Sequence, residues 1–477
     1  MQIIRAWLSP LVHLSNNWIS LLGVVLVTAS TVFWLFLLPS TFGGGPPNPY
    51  FGILAFMVIP AGFFTGLALI PLGIWLKWRR EHRLGSYPSS FPALSLRNVE
   101  FRRLMVFIGV TTFANILIAS QLTYSAVHYM DSVTFCGQTC HTVMQPEFVA
   151  YQNSPHSRVE CVKCHIGPGA SWFVRSKLSG IGQVFAVTLN TYPRPIPTPV
   201  HNLRPARDTC ETCHWPQKYG ADRIRVIQKY AEDEANTPAK TVLLMHIGGG
   251  TGGEGQGIHG FHMRAGVKFE YAHADEKRQQ IPWVRYTTAE GKVIEYFAEG
   301  VKPEQVKNLP VREMDCMDCH TRPSHSFDLP DRAVDHAMQA GSISPALPFA
   351  KQHALEVLKR PYATRGEATA RIPAEFEGFY KAKHPEILEQ RRQEIAASAK
   401  GVLSVYNRNI FPEMKVTWGT YPNNIGHTDF PGCFRCHDDA HTSVDGSRKI
   451  NQDCNSCHGL LAMDEAEPKI LTDLGVK

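Results

Sequence analysis

Charge is scarce in this chain, and the scarcity is uneven. Asp, Glu, Lys and Arg make up 19% of 477 residues. Residues 18–38, 51–76 and 104–127 hold none of them. Each of these runs reaches the roughly 20 residues an α-helix needs to cross a hydrocarbon core. Three such runs in the first 127 residues exclude an ordinary soluble protein. The first run also lacks a small-residue cleavage site, which excludes a secretory signal peptide. No lysine–arginine block of polyanion-binding length is present, and the net charge is only +6, so no nucleic-acid partner is expected. Disordered, collagenous and small disulfide-scaffold classes are excluded by composition. Unpaired cysteine is absent too: the 12 cysteines form six close pairs, and a histidine follows every pair.

The loops between the apolar runs predict a topology. Lys77, Arg79, Arg80, Arg83, Arg97, Arg102 and Arg103 stand against Glu81 and Glu100, whereas residues 39–50 carry no charge. The positive-inside rule puts the basic loop and the N-terminus in the cytoplasm and everything after residue 127 on the outer face, the periplasm of a bacterial inner membrane. The first two spans contain no intramembrane charged residue and no histidine pair for a b-type haem, which leaves scaffolding or quinone-pocket building as their role.

Five cysteine pairs read C-x-x-C-H: Cys161, Cys164 and His165; Cys210, Cys213 and His214; Cys316, Cys319 and His320; Cys433, Cys436 and His437; Cys454, Cys457 and His458. The first signature, Cys136, Cys140 and His141, is one residue wider. This is the spacing of c-type haem attachment. Two thiols one turn apart reach the two vinyl groups of one porphyrin, and the next residue offers its imidazole to the iron as proximal ligand. Disulfides would not need the histidine. Zinc would use two pairs per ion and leave the histidines unexplained. A thioredoxin-like redox pair would occur once. Histidine is 21 of 477 residues, so six chance placements come to roughly one in a hundred million. Six covalent haems are expected. Residues 136–214 hold three of the signatures with modest aliphatic content, so porphyrin would supply the apolar mass there.

Bis-histidine haems need second ligands. Setting aside the six proximal histidines and the cytoplasmic His13 and His82, thirteen histidines, His262 among them, remain on the outer side. Position ranks His156, His325, His427 and His441 first, then His246 and His259, with Met144 a rival for the first haem. The supply is ample, so nothing forces an open catalytic iron.

The fold class expected is mainly α: three transmembrane helices and a periplasmic multihaem domain with little regular structure and a β-rich insertion. Residues 1–103 would hold two spans (18–38, 51–76) and the basic loop, 104–127 the third span, 128–222 a three-haem domain, 223–310 the β-rich insertion, and 311–477 a second three-haem domain with a helical segment at 331–408. Residues 281–297 read as a hairpin turning near Glu290-Gly291. The glycine-rich 248–257 has neither a Lys-Ser/Thr nor a βαβ setting and reads as a loop.

One stretch resembles a known family. A spanning helix runs into Phe135-Cys136…Cys140-His141-Thr-Val-Met144-Gln-Pro-Glu147-Phe148. It continues through Tyr151…His156 and Cys161…Cys164-His165-Ile-Gly to Leu203-Arg-Pro-Ala-Arg-Asp-Thr-Cys210-Glu-Thr-Cys213-His214-Trp-Pro. This resembles the NapC/NirT family of membrane-anchored multihaem cytochromes, over about residues 104–216. The remainder resembles longer members from bacteria that respire extracellular or metal acceptors. The chain departs from that pattern in its three spans, its wider first site, and a methionine three rather than two positions past the first histidine. The resemblance implies quinol oxidation beside the first haem, near His128, Asp131 and the helix carrying Arg175, Lys177 and Gln183. Quinol loses two protons with its two electrons, so His128, Asp131 and Glu147 are candidate acceptors. Implied partners are the membrane quinol pool and a periplasmic cytochrome or reductase. Two rival expectations are an electron-transfer subunit of a larger respiratory complex with no quinol site of its own, and a terminal nitrite-type reductase.

Overall fold

In this computed structural model the described residues are 2–37, 58–91, 97–139, 141–200, 203–214, 220–248 and 257–475. The chain folds as two compact units, residues 1–140 and 141–477.

The first unit is helical: α1 (Gln2–Ser15), α2 (Trp18–Leu37), α3 (Ile59–Arg83) and α4 (Val99–Met130). Helices α2, α3 and α4 are each long and apolar enough to cross a membrane. Helix α1 was not legible as an element in advance. Helix α3 runs past the expected end at residue 76 to Arg83, and residues 51–57 lie outside the described residues. The stems of Lys77, Arg79 and Arg80 let a helix continue while their charges reach water. Helix α4 starts five residues before the expected span, where the Asn98 side chain accepts from the Glu100 backbone N–H. Helices α2 and α3 cross on small residues. A Cβ on Gly23 would stand 2.7 Å from the Gly66 carbonyl oxygen, and one on Gly66 equally close to that of Gly23. The Ser20 hydroxyl donates to the Ile70 carbonyl at 2.9 Å across the same crossing. With no hydrophobic drive between helices in lipid, close backbone approach and such bonds hold the pair together. At one end, the His13 ring lies 2.6 Å from Glu100 and 2.9 Å from Glu81, joining α1, α3 and α4.

The second unit begins with α5 (His141–Gln152), α6 (Cys161–His165), α7 (Ala170–Thr188) and α8 (Ala206–Cys210). Two antiparallel sheets follow. Strands β1 (Arg223–Tyr230) and β2 (Pro238–Met245) pair with the distant β8 (His458–Glu465) in the order β1-β2-β8. Strands β3 (Lys268–Ala272), β4 (Trp283–Thr287), β5 (Val293–Phe297), β6 (Val311–Glu313) and β7 (Thr442–Ser443) form the order β6-β3-β4-β5-β7. The expected hairpin is β4–β5, with Thr287 opposite Val293 and Gly291 at φ +81° in its turn. The β-rich stretch is completed by strands from beyond residue 310. Between the two sheets' strands lies the short helix α9 (Gly257–His262), and after β6 comes α10 (Cys316–Cys319).

Residues 330–409 form a helical block: α11 (Pro330–Gln339), α12 (Ala350–Leu358), α13 (Arg365–Lys383), α14 (Pro385–Gln390) and α15 (Arg392–Asn409). Thr364 caps α13 by accepting from the Glu367 N–H, while Glu367 accepts from Ala363 N–H. Val334, Leu355, Ile372, Phe376, Tyr380, Ile395 and Val402 are fully enclosed in its core.

Candidate functional site

Five of the six cysteine–histidine signatures are fully described. None of the eleven described cysteines is disulfide-bonded. Cys136 lies on a π-helical turn, Phe135–Thr139, in the first unit; Cys140 and the His141 side chain lie outside the described residues. Among the described residues no three histidine, cysteine or carboxylate side chains converge as a metal cage.

The histidines instead come in facing pairs. The ring of His165 stands 6.2 Å from that of His325, and His214 stands 5.9 Å from His156. His320 faces His259 at 6.3 Å, His437 faces His262 at 5.9 Å, and His458 faces His427 at 6.3 Å. Every described signature histidine therefore has one partner ring. A metal–imidazole bond is about 2.0–2.1 Å and the ring centre lies about 1.1 Å beyond the nitrogen, so two rings on opposite sides of one metal have centres about 6 Å apart. The five separations fit a six-coordinate iron held between two imidazoles.

The rings are also prepared as ligands. Nδ1–H of His325 donates to the Glu147 carbonyl at 2.9 Å, that of His262 to Ile258 at 2.8 Å, and that of His437 to Asn451 at 2.9 Å. Each such bond fixes the tautomer that leaves Nε2 with its lone pair. Nδ1 of His156 and of His458 is buried with no hydrogen-bond partner among the described residues. Burial pushes His165, His259, His262, His320, His325 and His458 below the ordinary histidine value. At His165 and His320 neighbouring histidines push the same way. The neutral imidazole so favoured is the form that binds a metal.

Neighbouring sites share parts. Helix α6 packs on α8, and α8 on α10, so the second, third and fourth signatures adjoin in order. The Cys210 and Cys316 thiols are hydrogen-bonded to each other, which raises the first and lowers the second. His259 and His262 stand one turn apart on α9 and face the fourth and fifth signatures respectively. Residues 427–437 supply both the ring facing His458 and the fifth cysteine pair. Burial pushes the thiols of Cys319 and Cys436 up to about 12.

The fourth signature is clamped from within. Asp318, between its two cysteines, is 2% exposed and accepts from the Tyr271 hydroxyl at 2.5 Å, from Arg312 at 3.0 Å and from Arg278 at 3.2 Å. A buried carboxylate needs such partners.

Four of the position-ranked histidines, His156, His259, His325 and His427, occupy pairs. Two do not. His441 is enclosed, its Nδ1 2.9 Å from Asp438 and its Nε2 2.8 Å from the Ile281 carbonyl. His246 bonds Asp222 through Nδ1 at 3.0 Å, and its backbone N–H donates to the Cys457 carbonyl of the sixth signature. His262 takes the place that chain position did not single out. Its signal was the i, i+3 spacing from His259, which puts both on one face of a helix. Met144 is half-buried on α5.

The quinol-side candidates divide between the units. His128, exposed and stacked on Tyr124 at 6.4 Å, and Asp131 belong to the first; Glu147 and Lys177 belong to the second. Glu147 is committed elsewhere: Arg322 donates to its carboxylate at 2.5 Å, and its backbone holds His325. Lys177 lies over the Phe173 ring at 5.0 Å.

Residues 99–195 match the N-terminal region of the NapC/NirT cytochrome c family. The chain is 40% identical over 449 residues to the Cytochrome c-type protein ImcH of Geobacter sulfurreducens, covering 93% of this chain and 88% of that protein. No solved structure matches.

Proposed function

This chain belongs to the NapC/NirT cytochrome c family, a membrane-anchored c-type cytochrome of electron transfer, and from that membership we propose that it is a hexahaem quinol dehydrogenase of the bacterial inner membrane, delivering electrons to a periplasmic cytochrome or reductase. The observation that carries the haem assignment is the set of five facing ring pairs at 5.9–6.3 Å. We assign the pairs His165 and His325, His214 and His156, His320 and His259, His437 and His262, and His458 and His427 as the residues that would hold five haem irons, the twelve cysteines as those that would form the thioethers, and His141 as the residue that would hold the first haem iron, with Met144 a candidate second. Bound haem supplies one-electron redox chemistry at each iron.

The protein's own part is spacing and insulation. The second to sixth sites follow one another in chain order, and that succession suits a one-electron relay. Burial favours the neutral ring at His165, His259, His262, His320, His325 and His458, and carbonyl hydrogen bonds orient His262, His325 and His437. At the quinol end, His128 and Asp131 are the candidate proton acceptors. The basic residues 77–103 support a cytoplasmic N-terminus and a periplasmic haem region.

The test is quinol-driven reduction of the purified full-length protein in detergent, followed at the haem α-band. Full reduction within seconds by a menaquinol analogue is expected. No reduction by quinol, with full reduction by dithionite, would favour a subunit that takes its electrons from another protein. A high-spin ferric resonance in the oxidised protein would favour a terminal reductase.

A further inference from the structure

Helices α2 and α4 leave a cleft of about 250 Å³ between them, walled by Val25, Thr28 and Ala29 on one side and by Val110, Thr111 and Asn115 on the other. Both helices belong to the first unit. Residues 25–29 are central in α2, and Asn115 is central in the uncharged run 104–127. The cleft therefore sits near the middle of the hydrocarbon layer. Its walls are almost wholly apolar, yet they include a carboxamide.

Polar side chains elsewhere in this unit are spent within the chain. The Asn17 amide donates to the Leu14 carbonyl at 2.8 Å, and its oxygen accepts from the Ser20 N–H at 2.9 Å. Thr28, in the opposite wall of the cleft, donates its hydroxyl to the Val24 carbonyl at 2.9 Å. The side chains of Asn115 and Thr111 have no hydrogen-bond partner among the described residues. Both are half-buried, and their i, i+4 spacing puts them on one face of α4. Hydrocarbon holds no water to serve them, so an amide left alone at this depth is costly, and such intramembrane polar groups mark binding sites.

The occupant must bring a polar atom of its own to mid-membrane. An acyl chain has none there. A neighbouring helix presents a convex ridge, whereas this cleft is concave and of a size for one ring system. An isoprenoid quinone meets both demands: its tail dissolves in the acyl layer, and its ring carries two oxygens. In the oxidised ring an oxygen accepts from the Asn115 amide N–H; in the quinol the O–H donates to the Asn115 carbonyl oxygen. Among the described residues no charged side chain lines the cleft, so it binds without taking a proton. His128 lies 13 positions further along α4, roughly 20 Å at about 1.5 Å per residue, which separates the cleft from the place of oxidation.

We infer that the α2–α4 cleft is a holding site for the ring of an isoprenoid quinone, with Asn115 as its hydrogen-bonding residue and Thr111 beside it. The inference rests on the proposed quinol reading for its ligand class, and adds a site distinct from the one near His128 and Asp131.

The probe is an azido-naphthoquinone with an isoprenoid tail, photolysed with the full haem-loaded chain in phosphatidylcholine nanodiscs. Adducts are mapped by mass spectrometry. Adducts on peptides covering 107–118 are expected, reduced several-fold by excess unlabelled quinone. Asn115→Leu should lower them several-fold at unchanged haem content, and should raise the KM for quinol several-fold with kcat unchanged. Val110→Trp, which narrows the cleft and leaves the amide in place, should do the same and decides the matter if Asn115→Leu fails to fold. Labelling that unlabelled quinone does not compete, labelling unchanged in both variants, or an Asn115→Cys chain that forms a disulfide with a second copy through this face would overturn the inference. Competed labelling at 107–118 without quinol-driven haem reduction would count against the proposed function and leave the cleft standing. Haem reduction by quinol with no adduct at 107–118 would overturn the cleft and leave the proposed function standing.

Discussion

Residues 330–409 and residues 136–214 are of similar length and opposite construction. The first stretch has no cysteine and a closed apolar core, in which Val334, Ile372, Phe376, Tyr380 and Val402 are wholly enclosed. The second carries three cysteine–histidine signatures, and its buried apolar side chains among the described residues are Val143, Ala150, Tyr151 and Ala206. The difference teaches what holds each part together. The helical block is stabilised by its own side chains, at about 25 cal/mol per Å² of apolar surface removed from water. The signature-rich stretch buries far fewer apolar side chains, and in the proposed reading covalently attached porphyrin stands in for a core.

The sharpest way to break this contrast is to withhold haem from one side of it. Replacing Cys161, Cys164, Cys210 and Cys213 by serine should leave residues 155–214 without protection in hydrogen exchange, while α12, α13 and α15 keep theirs. Equal loss in both stretches would mean that they fold as one unit and the contrast is false.

The converse change attacks the block. Phe376→Ala should cost about 3–5 kcal/mol, the usual toll of emptying an aromatic site in a close-packed core. Chemical denaturation followed in the far ultraviolet should show the loss, with the haem absorption of the folded protein unchanged.

A smaller effect sharpens the ligand assignment. His262→Ala should convert one low-spin haem in six to a high-spin form, visible by electron paramagnetic resonance, whereas His441→Ala should convert none. The reverse pattern would exchange their roles.

The smallest effect is electrostatic. Asp328 lies at the edge of the block, where burial would raise its pKa but the hydrogen bond from His336 and the charges of Arg408 and Arg332 more than offset this. Its folded value is therefore below the unfolded value of about 3.9. The stabilisation is complete above the unfolded value and is lost as pH falls through the folded one. Asp328→Asn should flatten the acid limb of the melting curve by a degree or two and leave the curve above pH 5 with its original slope.

Much of this was legible along the chain because it is local. Uncharged runs, C-x-x-C-H spacing, the turn at Gly291 and the periodicity of 331–408 are properties of neighbouring residues. What was not legible is pairing at a distance. The ring opposite His437 comes from His262, 175 positions earlier in the sequence. Strand β8 finds β2 across more than 200 residues. Nearness in sequence did not show that His441, four residues past His437, sets its two nitrogens against Asp438 and Ile281. Glu147 looked like a free carboxylate because its partner, Arg322, is remote in sequence.

The central claim is that these thiols carry porphyrin. The mass of the intact mature chain, measured under denaturing conditions, tests it most directly. Six thioether-linked haems should add about 3.7 kDa to the 53.3 kDa polypeptide. A mass equal to that of the translated residues alone, or a purified protein with no visible colour, would contradict it.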